Sequence, residues 1–380
     1  MAEIFGLCPS IGQPLLSGDG YLIRIRPKYG YLNSSQLISL GKAANQFGNG
    51  IIEFTTRANI TIRGINEKKL NDLSLFLKNE QIVNQLDTNK TVSNIIYSPF
   101  TRLSDKKFLK ISKTIEDQLL SIPKIHKKFG IAIDLGRVAT LQNIHADLRI
   151  EEASNGSLII RIDGLEYGEE VEQNNLISTL KNITNNIARA VTLDLKDKSL
   201  SEIIQYIDYK KFHVPVEKPR KQKFSPKLGP CFHGYLLSST SGRFTGDQVI
   251  QLALQVENIK VTPWKALFIE NTARKPKLNF LSKNTDFSLK ISHCSGQPYC
   301  KQGLTDTTKL ANRINKRLKS SYKKNKTDIP NIHISGCEKN CGIPKNVSIN
   351  IGKFKKDNPV EIVNGKHEEL AALLTLEFQQ

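Results

Sequence analysis

The feature that most constrains the fold of this chain is an internal repeat. The stretch DGYLIRIRPKYGYLNSSQLISLGKAANQFGNGIIEFTTRANITIRGI, from Asp19, and the stretch HGYLLSSTSGRFTGDQVIQLALQVENIKVTPWKALFIENT, from His233, carry the same landmarks in the same order. Tyr21 matches Tyr235, Gly30 matches Gly242, Gln36 matches Gln248 and Leu40 matches Leu252; after a shorter turn, Phe54-Thr55 matches Val261-Thr262. Each copy reads as strand, glycine-containing turn, helix, strand. Tyr21, Ile23 and Ile25 alternate with Leu22, Arg24 and Arg26. Leu37, Leu40 and Ala44 share a helix side, and Ile60-Thr61-Ile62 is β-branched. A unit this small cannot bury its sheet face alone, so the two copies are expected to pair about a pseudo-two-fold axis.

The segments after each copy also correspond. TVSNIIYSPF, a helical stretch from Ile111 to Leu120, KKFGIAIDLG and SLIIRIDG follow the first; SLKISHCSGQPYC, a helix around Leu310, IPNIHISGC and VSINIG follow the second. Strand, helix, strand, strand is the reading in both. Pro215, Pro219 and Pro226 punctuate a lysine-rich stretch between the halves, which reads as a linker.

The chemistry is concentrated in the second half. Four of six cysteines form two pairs, Cys294 with Cys300 and Cys337 with Cys341. Thiolates are soft ligands suited to iron–sulfur clusters and zinc, and a gap of five residues departs from the two to four usual between ligands of structural zinc. Gly296, Gly303, Gly336 and Gly342, with Pro298 and Pro344, allow tight loops whose backbone N–H groups can approach cluster sulfurs.

HCSGQPYC followed by SGCEKNC resembles the cluster-binding signature of the nitrite and sulfite reductase superfamily. TTRANITIRG at Thr55 resembles the strand that meets the tetrapyrrole in those enzymes, and LSGDGYLIRIRP at Leu16 resembles their first half-domain. Within the superfamily, CPSIGQPLLSGDGYLIRIRP and GNGIIEFTTRANITIRG resemble the precorrin-3B synthases. The resemblance implies an α+β fold with a duplicated nitrite/sulfite reductase-like architecture. That means a first ferredoxin-like half-domain over 1–85, a first α/β unit over 86–212, a linker over 213–228, a second half-domain over 229–284 and a second α/β unit over 285–380. It also implies a monooxygenase that hydroxylates precorrin-3A at C20, with γ-lactone formation, in aerobic cobalamin biosynthesis. The implied cofactors are a [4Fe-4S] cluster on Cys294, Cys300, Cys337 and Cys341 and a mononuclear non-haem iron. Sirohaem belongs to the alternative, a nitrite or sulfite reductase. The implied partners are a tetrapyrrole polycarboxylate, O2, and an electron donor, either NADH through a reductase or a ferredoxin-like protein.

The reductases surround their small anion with basic groups, and this chain keeps only part of that set. By motif, Arg57 and Lys128 are present, whereas Gly130 and Ser93 stand where Lys and Arg are expected. Concentrated positive charge is what orients and protonates sulfite or nitrite, so the departure weighs against reductase chemistry. Arg57, Lys128, Arg24, Arg26 and Arg63 are the expected carboxylate partners, because guanidinium engages carboxylate bidentately. The histidines available to an iron are His126, His145, His213, His233, His293, His333 and His367. No two-histidine-plus-carboxylate spacing stands out, so no ligand is assigned.

The formal net charge is +19. Basic residues cluster at Lys210–Lys227 and at Lys309–Lys326, the latter behind an apolar stripe of Leu310, Ile314 and Leu318 that reads as an amphipathic helix. Nucleic-acid binding would call for stacking aromatics among the cations, and Tyr322 stands alone there, so no nucleic-acid partner is expected. No apolar run approaches the ~18 residues of a membrane helix and no export signal is visible. A cytoplasmic enzyme with reduced thiols, and no membrane partner, is the expectation.

Overall fold

The computed structural model describes residues 9–83, 94–123, 125, 129–136, 138–191, 195, 200–221, 226–278, 280–281, 287–322, 331–341, 343, 347–352 and 361–363. The first copy of the repeat forms β1 (Leu15–Ser17), β2 (Gly20–Ile25), β3 (Tyr31–Asn33), α1 (Ser34–Phe47), β4 (Ile51–Phe54), β5 (Ile60–Ile65) and α2 (Leu70–Asn79). The unit after it forms β6 (Asn94–Tyr97), α3 (Lys106–Gln118), β7 (Gly130–Asp134), β8 (Leu148–Glu152), β9 (Leu158–Ile162), β10 (Glu169–Glu170), α4 (Leu176–Ala190) and α5 (Leu200–Ile203). The second copy forms β11 (Gly229–Cys231), β12 (Gly234–Ser238), β13 (Arg243–Thr245), α6 (Gly246–Ala253), β14 (Asn258–Val261) and β15 (Ala266–Glu270). The last unit forms β16 (Ile291–His293), α7 (Thr307–Tyr322), β17 (Ile332–Ser335), β18 (Ile349–Gly352) and β19 (Glu361–Val363).

The two copies pair by exchanging a strand. One sheet runs β1-β2-β5-β4-β13 and the other β11-β12-β15-β14-β3, so each half-domain completes its partner's sheet. The cause is local and duplicated. Tyr29 and Gly30 adopt φ of 56° and 71°, and Ser241 and Gly242 adopt 59° and 74°. These turns throw β3 and β13 out of their own half and onto the other. A capping box then starts the helix in both. Asn33 Oδ1 accepts from Gln36 N at 2.8 Å and Gln36 Oε1 from Asn33 N at 3.1 Å; Thr245 Oγ1 accepts from Gln248 N at 3.1 Å and Gln248 Oε1 from Thr245 N at 2.9 Å. The Gln36–Gln248 match thus records a duplicated helix start. Helices α1 and α6 pack so closely that a Cβ on Gly41 would lie 2.5 Å from Ile250 Cγ1 and 2.6 Å from Gly246 O. Leu37, Leu40, Ala44, Val249 and Leu252 share one core with Ile52, Ile60, Ile62, Ile259 and Leu267.

The two larger sheets repeat the relation. In one, β6, β7 and β8 are parallel and β9 returns antiparallel; in the other, β16, β17 and β18 are parallel and β19 returns antiparallel. The sequence pattern aligned VSINIG with SLIIRIDG. The topology instead equates VSINIG, which is β18, with β8. Strand β8 hides itself because it is charged: Arg149 is paired with Asp163 at 2.9 Å and Glu151 with Arg161 at 2.8 Å, so buried residues read as a polar surface.

The lysine-rich stretch between the halves is no free tether where it is described. Glu217 and Pro219 bridge to Gly168 and Ala153, and Arg220 N donates to Glu152 O at 2.9 Å. Leu310, Ile314 and Leu318 of α7 are buried on the last sheet, as the stripe requires, and the Lys309 side chain stands in solvent. Lys323, Lys324 and Lys326 lie outside the described residues. Among the described residues no helix is long and apolar enough to cross a membrane.

Candidate functional site

Cys294 comes near Cys337 and Cys341 because β16 and β17 are adjacent and parallel. Ligand sites in such sheets form at the carboxyl ends of the strands. Cys294 follows directly on β16, and Cys337 stands two residues past β17. Cys294 N donates to Ile334 O at 3.0 Å, which fixes the first turn to the neighbouring strand. Gly336 N then donates to Cys294 Sγ at 3.0 Å, an N–H···S contact of the kind that stabilises thiolate ligands. A Cβ on Gly336 would lie 3.2 Å from Gly296 Cα and 3.3 Å from that same Sγ, so the crossing of the two loops needs glycine. Cys300 N bonds back to Gly296 O at 2.7 Å, and Gly296 holds φ +58°. In the second loop Asn340 N donates to Cys337 O at 3.2 Å, and Asn350 on β18 donates to Asn340 Oδ1 at 3.1 Å.

Cys294, Cys300 and Cys337 are half-buried and Cys341 is exposed. Burial pushes the Cys294 thiol up, and the nearby Cys337 and Cys341 add to the rise against the lowering from the Gly336 and Gly296 amides. Four thiols around glycine-lined loops fit a [4Fe-4S] cluster, whose cube spreads its four cysteines apart. A mononuclear metal is a different demand. Among the described residues no three His, Cys, Asp or Glu side chains gather as one ion requires. His213 bonds Glu169 at 2.9 Å, His293 bonds Cys294 O at 2.8 Å and His333 bonds Ser292 Oγ at 2.8 Å. The described histidines are thus dispersed, and His126, His367 and Cys8 lie outside the described residues. Among the described residues the donor set does not fit the expected mononuclear iron.

The Cys300 loop rests on the polar face of the first sheet. Across that face, Arg24 on β2 is opposite Thr61 on β5, Thr61 opposite Glu53 on β4, and Glu53 opposite Arg243 on β13. Ile23, Ile25, Ile52, Ile60 and Ile62 occupy the other face and are buried. Arg63 is 2 % exposed, with its guanidinium on Asp19 at 2.8 and 3.0 Å, Glu53 at 3.3 Å, Ser17 Oγ at 3.3 Å and Tyr299 O at 2.9 Å. Its Cζ and that of Arg243 lie 4.7 and 5.0 Å from the Tyr299 ring. Arg243 also reaches Glu53 at 2.7 Å and Thr308 Oγ1 at 2.5 Å. Gly18 N donates to Tyr299 O at 3.2 Å, and a Cβ on Gly18 would be 2.5 Å from Pro298 O. Burial alone would raise the Glu53 carboxyl, but Arg243 and Arg63 outweigh it and hold it below the usual range.

Arg63 was expected to meet substrate carboxylates; its guanidinium is committed to this inner network. Sequence reasoning missed Arg243, Glu53, Asp19 and Tyr299 as its members, although Asp19 and Tyr299 lie inside the quoted motifs LSGDG and HCSGQPYC. Arg24 and Arg26 are half-buried, Arg24 across from Thr61 on the same face. Arg57 sits on the β4–β5 turn, where Thr55 Oγ1 accepts from Arg57 N at 3.3 Å and Asn59 N at 3.2 Å, and Ala58 takes φ 52°. Asn94, the first residue of β6, donates to Arg57 O at 3.3 Å, so the turn stands where the half-domain meets the α/β unit. Lys128 lies outside the described residues. Gly130 is buried, its N–H held by Asp147 Oδ2 at 2.7 Å.

Residues 13–79 match the family model of the nitrite/sulfite reductase ferredoxin-like half domain. A Sinorhizobium protein named precorrin-3B synthase is 24 % identical over 369 residues, covering 90 % of this chain and 79 % of its own length. The structure of Mycobacterium tuberculosis NirA protein superposes with a TM-score of 0.67 at 15 % identity, over 90 % of this chain and 73 % of that one. The chain is therefore similar to precorrin-3B synthase along most of its length, on the α+β fold of the nitrite/sulfite reductases.

Proposed function

We propose that this chain is an O2-dependent monooxygenase of the precorrin-3B synthase type, hydroxylating precorrin-3A at C20 with γ-lactone closure in cobalamin biosynthesis. The observation that carries the reading is the likeness to precorrin-3B synthase along 90 % of the chain. The loss of a reductase lysine supports it further. Gly130 lies buried in a parallel strand and offers no cation to a bound anion.

Cys294, Cys300, Cys337 and Cys341 are the proposed thiolate ligands of a [4Fe-4S] cluster, which supplies one-electron transfer when bound. Gly336 N–H stabilises the Cys294 sulfur, and Tyr299, held by Arg63 and Arg243, fixes the Cys300 loop on the first sheet. Arg57, Arg24 and Arg26 are proposed to orient substrate carboxylates, with Lys128 a further candidate; bidentate guanidinium contacts set the macrocycle's position. Arg63 acts at one remove, through the loop it anchors. No step is assigned to a mononuclear iron. Electrons come from an external donor, NADH through a reductase or a ferredoxin-like protein.

The test is anaerobic purification, an electronic spectrum, and turnover of precorrin-3A with O2. The reading expects a broad cluster shoulder without the Soret and red bands of sirohaem, together with hydroxylated lactone. Copurified sirohaem with nitrite or sulfite turnover would overturn it.

A further inference from the structure

The duplication pairs the cysteine site with a second position, at the ends of β6 and β7. Ser98 N donates to Ile133 O at 2.9 Å just as Cys294 N donates to Ile334 O at 3.0 Å, so Ser98 is the counterpart of Cys294. Gly136 stands two residues past β7, as Cys337 stands two past β17. Asp105 caps α3 through Phe108 N at 3.0 Å, and Asp306 caps α7 through Lys309 N at 2.9 Å. The β11–β12 turn replaces the β1–β2 turn: Cys231 is opposite Gly234 as Ser17 is opposite Gly20, which puts Phe232 in the place of Gly18.

The two positions have diverged in a way that points to a ligand. On the cysteine side, the Gly18 turn closes against the Cys300 loop. On the other side a cavity of about 530 Å³ stays open, bordered by Phe100, Arg102, Gly136, Phe232, His233 and the α3-capping Asp105. That is within the range of small-molecule sites. Phe232 is 52 % exposed and lies 4.5 Å from Phe100, which stacks on Trp264 at 5.7 Å and 22° and meets Phe268 edge-on. Trp264 takes the place that Arg57 holds in the first half, on the matching turn, where Thr262 Oγ1 accepts from Trp264 N as Thr55 Oγ1 accepts from Arg57 N. The result is an aromatic shelf with an exposed ring at its mouth. Arg102 stands exposed at the rim. Glu270 faces His233 at 3.5 Å and also pairs with the buried Lys260 at 3.3 Å, so those groups are committed to one another. The buried Asp134 behind Ser98 is saturated by Thr140 N, Leu141 N and Thr140 Oγ1.

We propose that this cavity binds a planar heteroaromatic ligand bearing a single phosphate or carboxylate. The ring stacks on the exposed Phe232, which Phe100 and Trp264 back from behind, and the acid group meets Arg102, the one Lys or Arg among the described residues bordering the cavity. The site is independent of the cysteine ligands.

Flavin mononucleotide is the probe, titrated into the full-length, cluster-loaded protein while its fluorescence is followed. Saturable quenching with a Kd on the order of ~10 μM is expected. Phe232→Ala should weaken binding ~10-fold through lost stacking, and Arg102→Glu should weaken it at least ~10-fold through lost and reversed charge. Lumiflavin, the same ring without phosphate, should keep the Phe232→Ala effect and lose the Arg102→Glu effect. Cluster absorbance should be the same in both variants. Absence of saturable quenching, affinity indifferent to both substitutions, or tighter Phe232-dependent binding of uroporphyrin than of the flavin would each overturn the proposal.

Discussion

Replacing Arg63 with methionine should loosen the Cys300 loop from the first sheet. Methionine keeps most of the apolar stem and removes every guanidinium contact. Glu53 retains Arg243 at 2.7 Å, but Asp19, 10 % exposed, loses its bidentate partner and keeps Asn49 Nδ2 at 2.9 Å. Breaking a buried pair from one side costs about 3–5 kcal/mol, and the surviving Asn49 contact argues for the low end, about 3 kcal/mol. That corresponds to about two decades in a local opening constant. The assay is native-state hydrogen exchange at the Gly18 amide, which donates to Tyr299 O, and at the Cys300 amide, which donates to Gly296 O. Protection at both should fall by roughly 100-fold, while Ile269 on β15 stays protected. Arg63→Lys should not restore it, because an ammonium cannot span Asp19 and Tyr299 together. In the double variant Asp19→Asn/Arg63→Met the losses should be less than additive. Unchanged protection at Gly18 and Cys300, combined with a raised KM for precorrin-3A, would refute the reasoning and return Arg63 to the substrate.

Gly336→Ala should lower iron and sulfide content per chain, because its Cβ comes within 3.3 Å of Cys294 Sγ and 3.2 Å of Gly296 Cα; full cluster occupancy would contradict the loop packing. Glu270→Gln leaves the ammonium of Lys260, 1 % exposed, with the Thr101 carbonyl but no carboxylate, and should cost about 3 kcal/mol, read from the fluorescence of the single tryptophan, Trp264, in a denaturant titration. Replacing both partners by apolar residues should recover most of that loss. Because Glu53 is held below its usual range, its contribution is complete above the unfolded glutamate value of about 4.3 and disappears as pH falls through the lower folded value. Stability of the Glu53→Gln variant should therefore vary less over that acid window, and parallel curves for variant and parent would remove the network from the account.

The duplication was legible because its marks are backbone requirements: the glycines at 30 and 242 with positive φ, and the capping glutamines at 36 and 248. The strand exchange was not, since nothing in Tyr31–Asn33 or Arg243–Thr245 says which sheet completes them. Tyr235 matches Tyr21 at the turn, yet it pairs with Ile269 where Ile23 pairs with Ile62, because two extra residues separate Gly20 from Gly30. Strand β8 escaped because its charges are neutralised by neighbours that sequence spacing does not reveal. The cysteine pairs were readable from spacing, and their meeting follows from parallel pairing of β16 with β17. The Arg63 network was not legible because its partners come from three stretches far apart in the chain: Ser17 and Asp19, Glu53 on β4, and Tyr299 in the Cys300 loop.

The most direct measurement is isotopic. Cluster-loaded protein with a competent electron donor and precorrin-3A should be exposed to isotopically heavy dioxygen, and the product mass read. The account predicts one heavy oxygen atom in the C20 hydroxyl of the lactone, and loss of product when Cys300 is replaced by serine. Product carrying oxygen only from water, or undiminished turnover in Cys300→Ser, would contradict it.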